Sequence, residues 1–380
     1  MSGTRAEAVS LAITGIGMVS PLGLDAETSC AAARAGLSRA APLDSFKVYS
    51  ESAWADVGVT GHSVREFAGG FEGFGKFVRL GSGALGDLLR RAGESTSHDW
   101  SRTGFCVALP SGYLQSAQER DPKASRQEEQ FQAFLQTLTD SLLPRLCELA
   151  ALPIQAEHQG VIFQDQAGFA RGVMHASHLI CAGKVDRCIL GGIDACTDTR
   201  YLTAAHHFNV LKTEAQPAGF QPGEGAAFLM LESPSAALGR GAPIVGRIDA
   251  AAIGTEPIQR CSGKPALGAG LAQTIAGCLQ VNSGDTDVGW MIADLNGDAF
   301  RANDWGYALS RLIVDFPQLG ECPVIIPAES FGETGSAQGA FAACMAIRAF
   351  ARGYSPSPTA LVSLSSYGGE RGAFTISSNG

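Results

Sequence analysis

The chain has 380 residues, of which 45% are hydrophobic and 17% are charged. This length and composition exclude an extended disordered chain and allow two domains or one large duplicated domain. The net charge of -9 argues against nucleic acid or an anionic membrane as the main partner. Because there is no long apolar span, no secretory segment and no CxxC pair among the ten cysteines, we expect a cytoplasmic protein.

The first half of the chain alternates strand-like and helix-like segments. Asp25 is expected to cap the helix that follows the first strand. A long amphipathic helix is expected to be interrupted near Pro144. The expected elements are a strand at 11–16, a helix at 27–35, loops over 40–80, a helix at 84–93, a strand at 103–109, a helix over 126–150, strands at 161–163, 188–190 and 226–231, and a loop over 206–222.

The second half repeats this rhythm. GGIDA before GEGAAFLMLES is similar to SLSSY before GGERGAFTISS, which indicates a weak internal repeat. Alternating strands and helices predict an α/β protein with a mostly parallel sheet covered on both faces, divided into halves at 1–235 and 236–380. The expected elements are strands at 244–253, 288–295 and 324–326, helices at 268–280, 303–315 and 336–352, and a strand pair at 361–365 and 373–376.

The most informative stretch is 161–192, where an apolar strand meets a small-residue helix and a second strand ends on Gly191-Gly192. Such a corner is where many α/β enzymes hold a nucleophile against the positive end of a helix. Here the corner carries Gln164, Asp165 and Gln166. None of these side chains is a serine, a cysteine or a lysine, so the usual covalent nucleophiles are missing.

Six segments in order resemble the β-ketoacyl-ACP synthases. They are LAITGIGMVSPLGLDAETSCAAARAG, AGKVDRCILGGIDA, GFQPGEGAAFLMLES with Phe220, DLNGDAFRANDWG, ESFGETGSAQGAFAA and SSYGGERGAFTI. The resemblance covers nearly the whole chain. It implies the thiolase fold, in which two duplicated α/β halves form five layers, α-β-α-β-α, and it implies a dimer with interface residues near 104–110 and 160–180.

The Cys-His-His triad of that family does not survive in this alignment. The cysteine position falls on Gln166, counted back from Gly191-Gly192, and the two histidine positions fall on Asn296 and Glu333. The histidine count agrees, because no histidine follows His207. A glutamine cannot carry a thioester, and an ionised Glu333 would repel an enolate.

Two further positions bear on the pocket that the resemblance implies. The family's gating phenylalanine falls on Tyr367, and the lysine of its second histidine loop falls on Glu329. Because acyl carrier proteins are acidic, this acidic chain is expected to reach a carrier protein through a partner subunit rather than directly.

Other polar clusters receive structural interpretations. Five acidic residues are expected to form a solvated rim, with a carboxylate pair or a hard-cation site as the alternative; they are Asp294, Asp298, Asp304, Glu329 and Glu333. Four histidines are expected to be core or loop residues rather than metal ligands; they are His175, His178, His206 and His207. Cys181 and Cys196 are expected to be buried thiols.

The resemblance and the losses together predict a catalytically degenerate ketosynthase homologue. Chain-length factors of type II polyketide synthases also carry glutamine at the cysteine position and act as non-catalytic partners of an active synthase. We therefore expect a partner subunit of this kind in fatty-acid or polyketide synthesis, as a homodimer or a heterodimer, without cofactor or metal. The alternatives are an acyl-processing enzyme that uses Glu333 and Asp298, or a homodimeric acyl-binding scaffold.

Overall fold

A computed structural model describes residues 3–91, 100–118, 125–281 and 288–379. The first half contains β1 (Arg5–Val19), α1 (Ala26–Arg34), β2 (Ala41–Ser50), β3 (Ala55–Gly61), α2 (Arg65–Ala68), α3 (Gly73–Arg91), β4 (Thr103–Leu109), α4 (Tyr113–Gln118), α5 (Ser125–Thr137), a π-helical turn (Leu138–Leu142), α6 (Leu143–Leu149), β5 (Gln159–Phe163), α7 (Gly168–Cys181), β6 (Arg187–Ala195), α8 (Thr199–His207) and β7 (Glu224–Glu232).

The second half contains α9 (Pro234–Gly239), β8 (Gly246–Thr255), α10 (Ala269–Val281), β9 (Val288–Ala293), α11 (Ala299–Asp315), β10 (Val324–Ile325), α12 (Ala328–Phe331), α13 (Gln338–Arg352), β11 (Thr359–Ser365) and β12 (Glu370–Ser377). Among the described residues, no helix is both long enough and apolar enough to span a bilayer.

Within the described residues, β1 and β4–β12 form a ten-stranded sheet of order β10-β9-β11-β12-β8-β1-β7-β6-β4-β5. From the central antiparallel pair of β1 and β8 outwards, the first half runs β1-β7-β6-β4-β5 and the second runs β8-β12-β11-β9-β10. The orientations also correspond, because β1–β7 and β8–β12 are antiparallel while β4–β5 and β9–β10 are parallel. This order is the duplicated α/β architecture expected from the sequence, but the expectation of a mostly parallel sheet is wrong, because five of the nine pairings between its described strands are antiparallel. The boundary at 235/236 stays a prediction.

The halves pack as five layers. α7 and α13 lie between the two halves of the sheet and share one apolar cluster with it. α3 and α6 cover the outer face of the first half, and α10 and α11 cover that of the second. The two central helices approach closely because Gly339 leaves room for Phe169: a Cβ at Gly339 would lie 2.5 Å from the Cβ of Phe169.

The 3₁₀ turn before each central helix is held by a side chain from the opposite half. The backbone N–H of Ala167, before α7, donates to Ser366 Oγ at 3.1 Å. The backbone N–H of Ser336, before α13, donates to Asp194 Oδ2 at 2.8 Å. Because the first N–H groups of a helix have no partner within it, these caps satisfy donors that would otherwise be buried and unpaired.

Several sequence expectations need correction. Residues 40–80 are not simply loops, because they contain the β2–β3 hairpin, α2 and the start of α3. The helix expected at 84–93 is the second part of α3, whose many glycines concealed its periodicity. One face of α3 is nevertheless apolar, with Phe77, Leu80, Ala84 and Leu88 buried. The helix over 126–150 is divided by the π-helical turn just before Pro144.

Candidate functional site

The three positions that the sequence alignment assigned to the triad, Gln166, Asn296 and Glu333, meet at one point in the fold. Gln166 lies in a 3₁₀ turn between β5 and α7, Asn296 follows β9, and Glu333 follows α12. Gln166 and Glu333 are each 2% exposed. Glu333 is fixed from both sides, because its backbone N–H donates to Gln221 O at 2.7 Å and its carbonyl accepts from the N–H of Gly223 at 2.8 Å.

The carboxylate of Glu333 is the centre of the site. Its Oε1 accepts from Gln166 Nε2 at 2.9 Å and from the backbone N–H of Gly335 at 2.8 Å. Its Oε2 accepts from Arg301 Nη1 at 2.9 Å and from Asn296 Nδ2. Four donors, one of them a guanidinium, therefore hold both oxygens of the carboxyl group in place.

Arg301 supplies the charge that makes this burial tolerable. It is 3% exposed, donates to the carbonyl oxygen of Asp294 at 2.9 Å, and lies 4.7 Å from the centre of the Tyr367 ring. Burial alone would lower the pKa of Arg301, but Glu333 and Asp294 raise it above its usual range. Burial also raises the pKa of Asp294 to about 6, against the opposing effect of Arg301. Arg301 is therefore a permanent cation between two buried carboxylates.

Two polar atoms next to this network have no partner among the described residues. They are Gln166 Oε1 and Arg301 Nη2, both buried. Unpaired buried groups of this kind are costly, so each is a candidate contact for a water molecule.

The expected solvated rim of acidic residues is wrong for four of its five members. Asp294, Asp298, Asp304 and Glu333 are buried, and only Glu329 is exposed. Each buried carboxylate faces an arginine. Arg260 donates to both oxygens of Asp298, at 3.1 and 3.2 Å, and Arg371 pairs with Asp304 at 2.9 Å. The sequence concealed this because the partner arginines come from distant segments.

The three predicted pocket residues occupy different environments. Tyr367 is buried, its hydroxyl oxygen accepts from Asn296 Nδ2 at 3.3 Å, and it lines a cavity of about 10 Å³ with Gln166 and Tyr201. That volume is about the space of one water molecule. Phe220 is fully buried with its ring centroid 6.0 Å from that of Tyr201. Glu329 lines a separate open cavity of about 310 Å³ that reaches Asn296.

The corner that precedes α7 has an unusual backbone. Asp165 has a φ of 48°, a left-handed conformation that non-glycine residues rarely adopt, and Gly335 has a φ of 49° at the start of the corresponding turn before α13. Asp165 is held by Ser111, whose backbone N–H donates to Oδ1 at 2.6 Å. Burial raises the pKa of Asp165 to about 6. The strained residue is therefore the one before Gln166.

Sequence reasoning missed three members of the site: Arg301, Asp194 and Tyr201. The signal for Arg301 was its position in an amphipathic helix, one turn before Asp304, on the buried face. Asp194 follows the Gly191-Gly192 pair, and burial raises its pKa to about 7 although Ser336 and Ala195 donate to it. Tyr201 carried no pattern that distinguishes it from other helical tyrosines.

The remaining polar candidates do not form a metal site. Within the described ranges, no three His, Cys, Asp or Glu side chains are placed to hold a metal ion. His175, His178, His206 and His207 are exposed. Cys196 is buried as expected, but the expectation for Cys181 is wrong, because it is exposed where the last turn of α7 reaches solvent.

Comparison with known proteins identifies the architecture. No protein-family model and no curated protein matches the chain, but solved structures do. One is a type II polyketide synthase acyl carrier protein in complex with its ketosynthase bound to a hexaketide (TM-score 0.74, 16% identity, 98% of this chain and 100% of that chain). Another is the ishigamide ketosynthase/chain length factor (TM-score 0.73, 18% identity, 98% and 100%).

A third match is an oxazolomycin ketosynthase domain from Streptomyces albus (TM-score 0.71, 15% identity, 98% of this chain and 74% of that chain). The chain has the thiolase fold of the ketosynthases. The fold expected from the six sequence segments is thus confirmed over nearly the full length. In this ketosynthase fold the corner before α7, the loop after β9 and the loop after α12 converge, and here Gln166, Asn296 and Glu333 occupy that convergence.

The contacts of Arg301 with Glu333 and Asp294 predict that Arg301→Ala strongly lowers the stability of the protein. The change leaves Glu333 and Asp294 without their cation, so we expect a loss of about 3–5 kcal/mol in the free energy of unfolding. Denaturant titration measures it. Arg311→Ala is the control, since Arg311 is exposed on the same helix and donates to Leu267 O at 3.2 Å; its effect should stay within about 0.5 kcal/mol. Equal losses of unfolding free energy in both variants would contradict the stabilising role assigned to Arg301.

The raised pKa of Asp194 predicts a pH dependence of stability. A carboxyl whose folded pKa is about 7, instead of 3.8, binds a proton more readily in the folded state. The stability that this proton binding adds to the folded state is complete below about pH 4 and is lost as the pH rises through 7. The free energy of unfolding should therefore fall between pH 5 and pH 8 less steeply in Asp194→Asn than in the wild type. The exposed Asp56→Asn is the control, and an unchanged slope in Asp194→Asn would refute this assignment.

Proposed function

We propose that this chain is a cytoplasmic ketosynthase-fold subunit without condensing activity that pairs with an active ketosynthase in polyketide or fatty-acid synthesis. The observation that carries the proposal is the contact between Gln166 Nε2 and Glu333 Oε1 at 2.9 Å. Condensation needs a thiolate and imidazoles at these positions. Here an amide and a carboxylate bind each other, and neither Gln166 nor Glu333 has a thiol that could carry an acyl group as a thioester.

The alternative of a rebuilt carboxylate site is opposed by the contacts of its two candidate catalysts. Glu333 accepts four hydrogen bonds, and Asp298 is held by both donors of Arg260. A general base needs a carboxylate oxygen directed at the substrate, with a pKa near the working pH. The oxygens of both carboxylates are instead held by fixed donors, so none of them is directed at a substrate.

The alternative of an acyl-binding scaffold is opposed by the size of the inner cavity. The space next to Gln166 is about 10 Å³, and the side chains of Tyr113, Leu114, Tyr201 and Tyr367 border it. Small-molecule sites usually measure several hundred cubic ångströms. An acyl chain therefore has no room beside Gln166 unless these side chains move.

The pairing surface in this proposal is the edge of the sheet at β5. β5 pairs with β4 on one side only, and all five of its residues are half-buried. An edge strand offers unpaired backbone N–H and C=O groups to another chain. This edge overlaps the start of the expected interface segment 160–180, but the other expected segment, 104–110, is buried in the neighbouring strand β4 and is not part of this surface. Two of the similar structures are described as a ketosynthase with its carrier protein and as a ketosynthase/chain length factor, which supports a carrier protein reached through the partner.

Activity assays test the absence of catalysis. The purified chain should show no decarboxylation of a malonyl carrier protein and no acyl transfer. Gln166→Cys alone should stay inactive, because the neighbouring carboxylate of Glu333 would raise the pKa of the new thiol and both imidazoles are missing. Turnover by the wild type that disappears in Glu333→Ala would refute the proposal and favour the rebuilt carboxylate site.

Co-purification tests the pairing surface. Val161→Asp places a charge on the edge strand β5, and Val324→Asp makes the same change on β10, at the opposite edge of the sheet. After co-expression with an active ketosynthase, we expect the wild type and Val324→Asp to retain the partner and Val161→Asp to lose it. Homodimers alone, from all three chains, would count against the heteromeric partner.

A further inference from the structure

The small cavity beside Gln166 is lined by oxygen-bearing side chains. It measures about 10 Å³, about the space of one water molecule. Two carboxylates line it, those of Asp165 and Asp194, and within the described ranges no lysine, arginine or histidine does so. The neutral oxygen-bearing side chains of its lining include Gln115, Gln166, Tyr201 and Tyr367. The lining therefore combines two acidic groups with neutral oxygen atoms and contains no cation.

The amide of Gln166 contributes an unpaired oxygen to this lining. Gln166 is 2% exposed, and its Nε2 donates to Glu333 Oε1 at 2.9 Å. Because a carboxylate accepts hydrogen bonds, this contact fixes which end of the amide is the nitrogen. The other end, Oε1, is buried and has no partner among the described residues. A buried acceptor without a partner is costly, so Oε1 indicates a ligand that these residues do not themselves supply.

Asp194 differs from most buried carboxylates of the chain because it has no cation beside it. Its Oδ1 accepts from the N–H of Ala195 at 2.8 Å, and its Oδ2 accepts from the N–H and the hydroxyl of Ser336 at 2.8 and 3.0 Å. It forms no ion pair with a described arginine or lysine. The buried carboxylates that do form one are Asp87, Glu224, Glu232, Asp294, Asp298, Asp304 and Glu333.

Asp165 brings a second carboxylate to the same cavity. Ser111 donates to both of its oxygens, through its backbone N–H to Oδ1 at 2.6 Å and through its hydroxyl to Oδ2. Here too, the described part of the chain provides no basic side chain as an ion-pair partner. Burial raises the pKa of Asp194 most, and the charge of Asp165 raises it further. The two carboxylates are therefore close enough to repel each other.

A cation satisfies these groups better than a water molecule does. A water molecule would donate to Oε1 but would leave the repulsion between the two carboxylates unneutralised. Carboxylate and amide oxygens are the ligands that hard cations prefer. A divalent ion takes about six or more oxygen ligands, and no three described His, Cys, Asp or Glu side chains are placed to hold one. Two carboxylates and a cavity of this size fit a single monovalent ion.

We propose that this cavity binds one alkali-metal cation, sodium or potassium, through the carboxylates of Asp165 and Asp194 and the amide oxygen of Gln166. The cation neutralises the two carboxylates and is the missing partner of Oε1. It also orients the amide, because a cation at Oε1 leaves Nε2 facing Glu333. The site therefore helps to hold this corner closed. It depends neither on a partner subunit nor on the absence of condensing activity.

Unfolding of the full-length chain in different salts tests the site. After dialysis against alkali-free buffer at pH 8, denaturant titrations in sodium, potassium and choline chloride are compared at equal ionic strength. Choline is too large for a cavity of about 10 Å³, so it reports the general effect of salt. At about ten times its dissociation constant, the bound alkali ion should raise the folding equilibrium constant about tenfold over choline. Equal stability in all three salts would overturn the proposal.

Two isosteric variants locate the cation. Asp165→Asn and Asp194→Asn each remove one charge, and asparagine tolerates the left-handed backbone of residue 165. Both variants should lose most of the gain that is specific to the alkali ion. Glu256→Gln is the matched control, because Glu256 is 1% exposed, accepts from the N–H of Gly270 at 2.7 Å and does not line the cavity. It should keep the gain. An undiminished gain in either asparagine variant would refute the assignment.

Crystals of the wild type provide a test that needs no variant. They are grown with the alkali ion that stabilises the protein more. Potassium is identified by its anomalous scattering, and sodium by contacts to oxygen that are shorter than the hydrogen bonds of a water molecule. We expect one such ion beside Gln166 Oε1, between the carboxylates of Asp165 and Asp194. A water molecule at that point, or no density at all, would overturn the proposal.

Discussion

The ion pair between Arg301 and Glu333 joins the loops that meet beside the two central helices. Glu333 receives the amide of Gln166 from the first half and the amide of Asn296 from the second. Its backbone is tied to the segment before β7 through Gln221. Since each partner comes from a different loop, the geometry of the whole corner depends on one carboxyl group and on the guanidinium that pairs with it.

A buried ion pair is weak evidence for stability in itself. Removing two charges from water costs several kcal/mol per ion, and well-packed apolar residues of the same volume often serve equally well. What a hydrogen-bonded pair adds is direction: the carboxylate of Glu333 fixes both amides and the start of the turn at Gly335. In an active ketosynthase the corner must admit substrate. Here the same corner is closed by its own side chains.

The fold could be predicted from the sequence because it rests on short, local patterns in a fixed order. The alternation of apolar strands with small-residue helices, and the glycine pairs at strand ends, reflect close packing that few other residues allow. Gly192 is an example, because a Cβ there would lie 2.1 Å from the carbonyl oxygen of Ser336. The glycine-rich start of α3 was missed for the same reason: its glycines serve packing, and they hide helical periodicity.

The site was only partly predictable because its energetics depend on pairs that are distant in sequence. Gln166, Asn296 and Glu333 could be placed by counting from motifs, but nothing local marks Arg301 as their counter-ion, 32 residues before Glu333. Without that cation, the acidic residues look like a solvated surface. With it, both oxygens of Glu333 are held by fixed donors, and the side chains of Gln166, Asn296 and Glu333 form one hydrogen-bonded unit. A substitution at any single position would therefore leave unpaired polar groups in the rest of this unit.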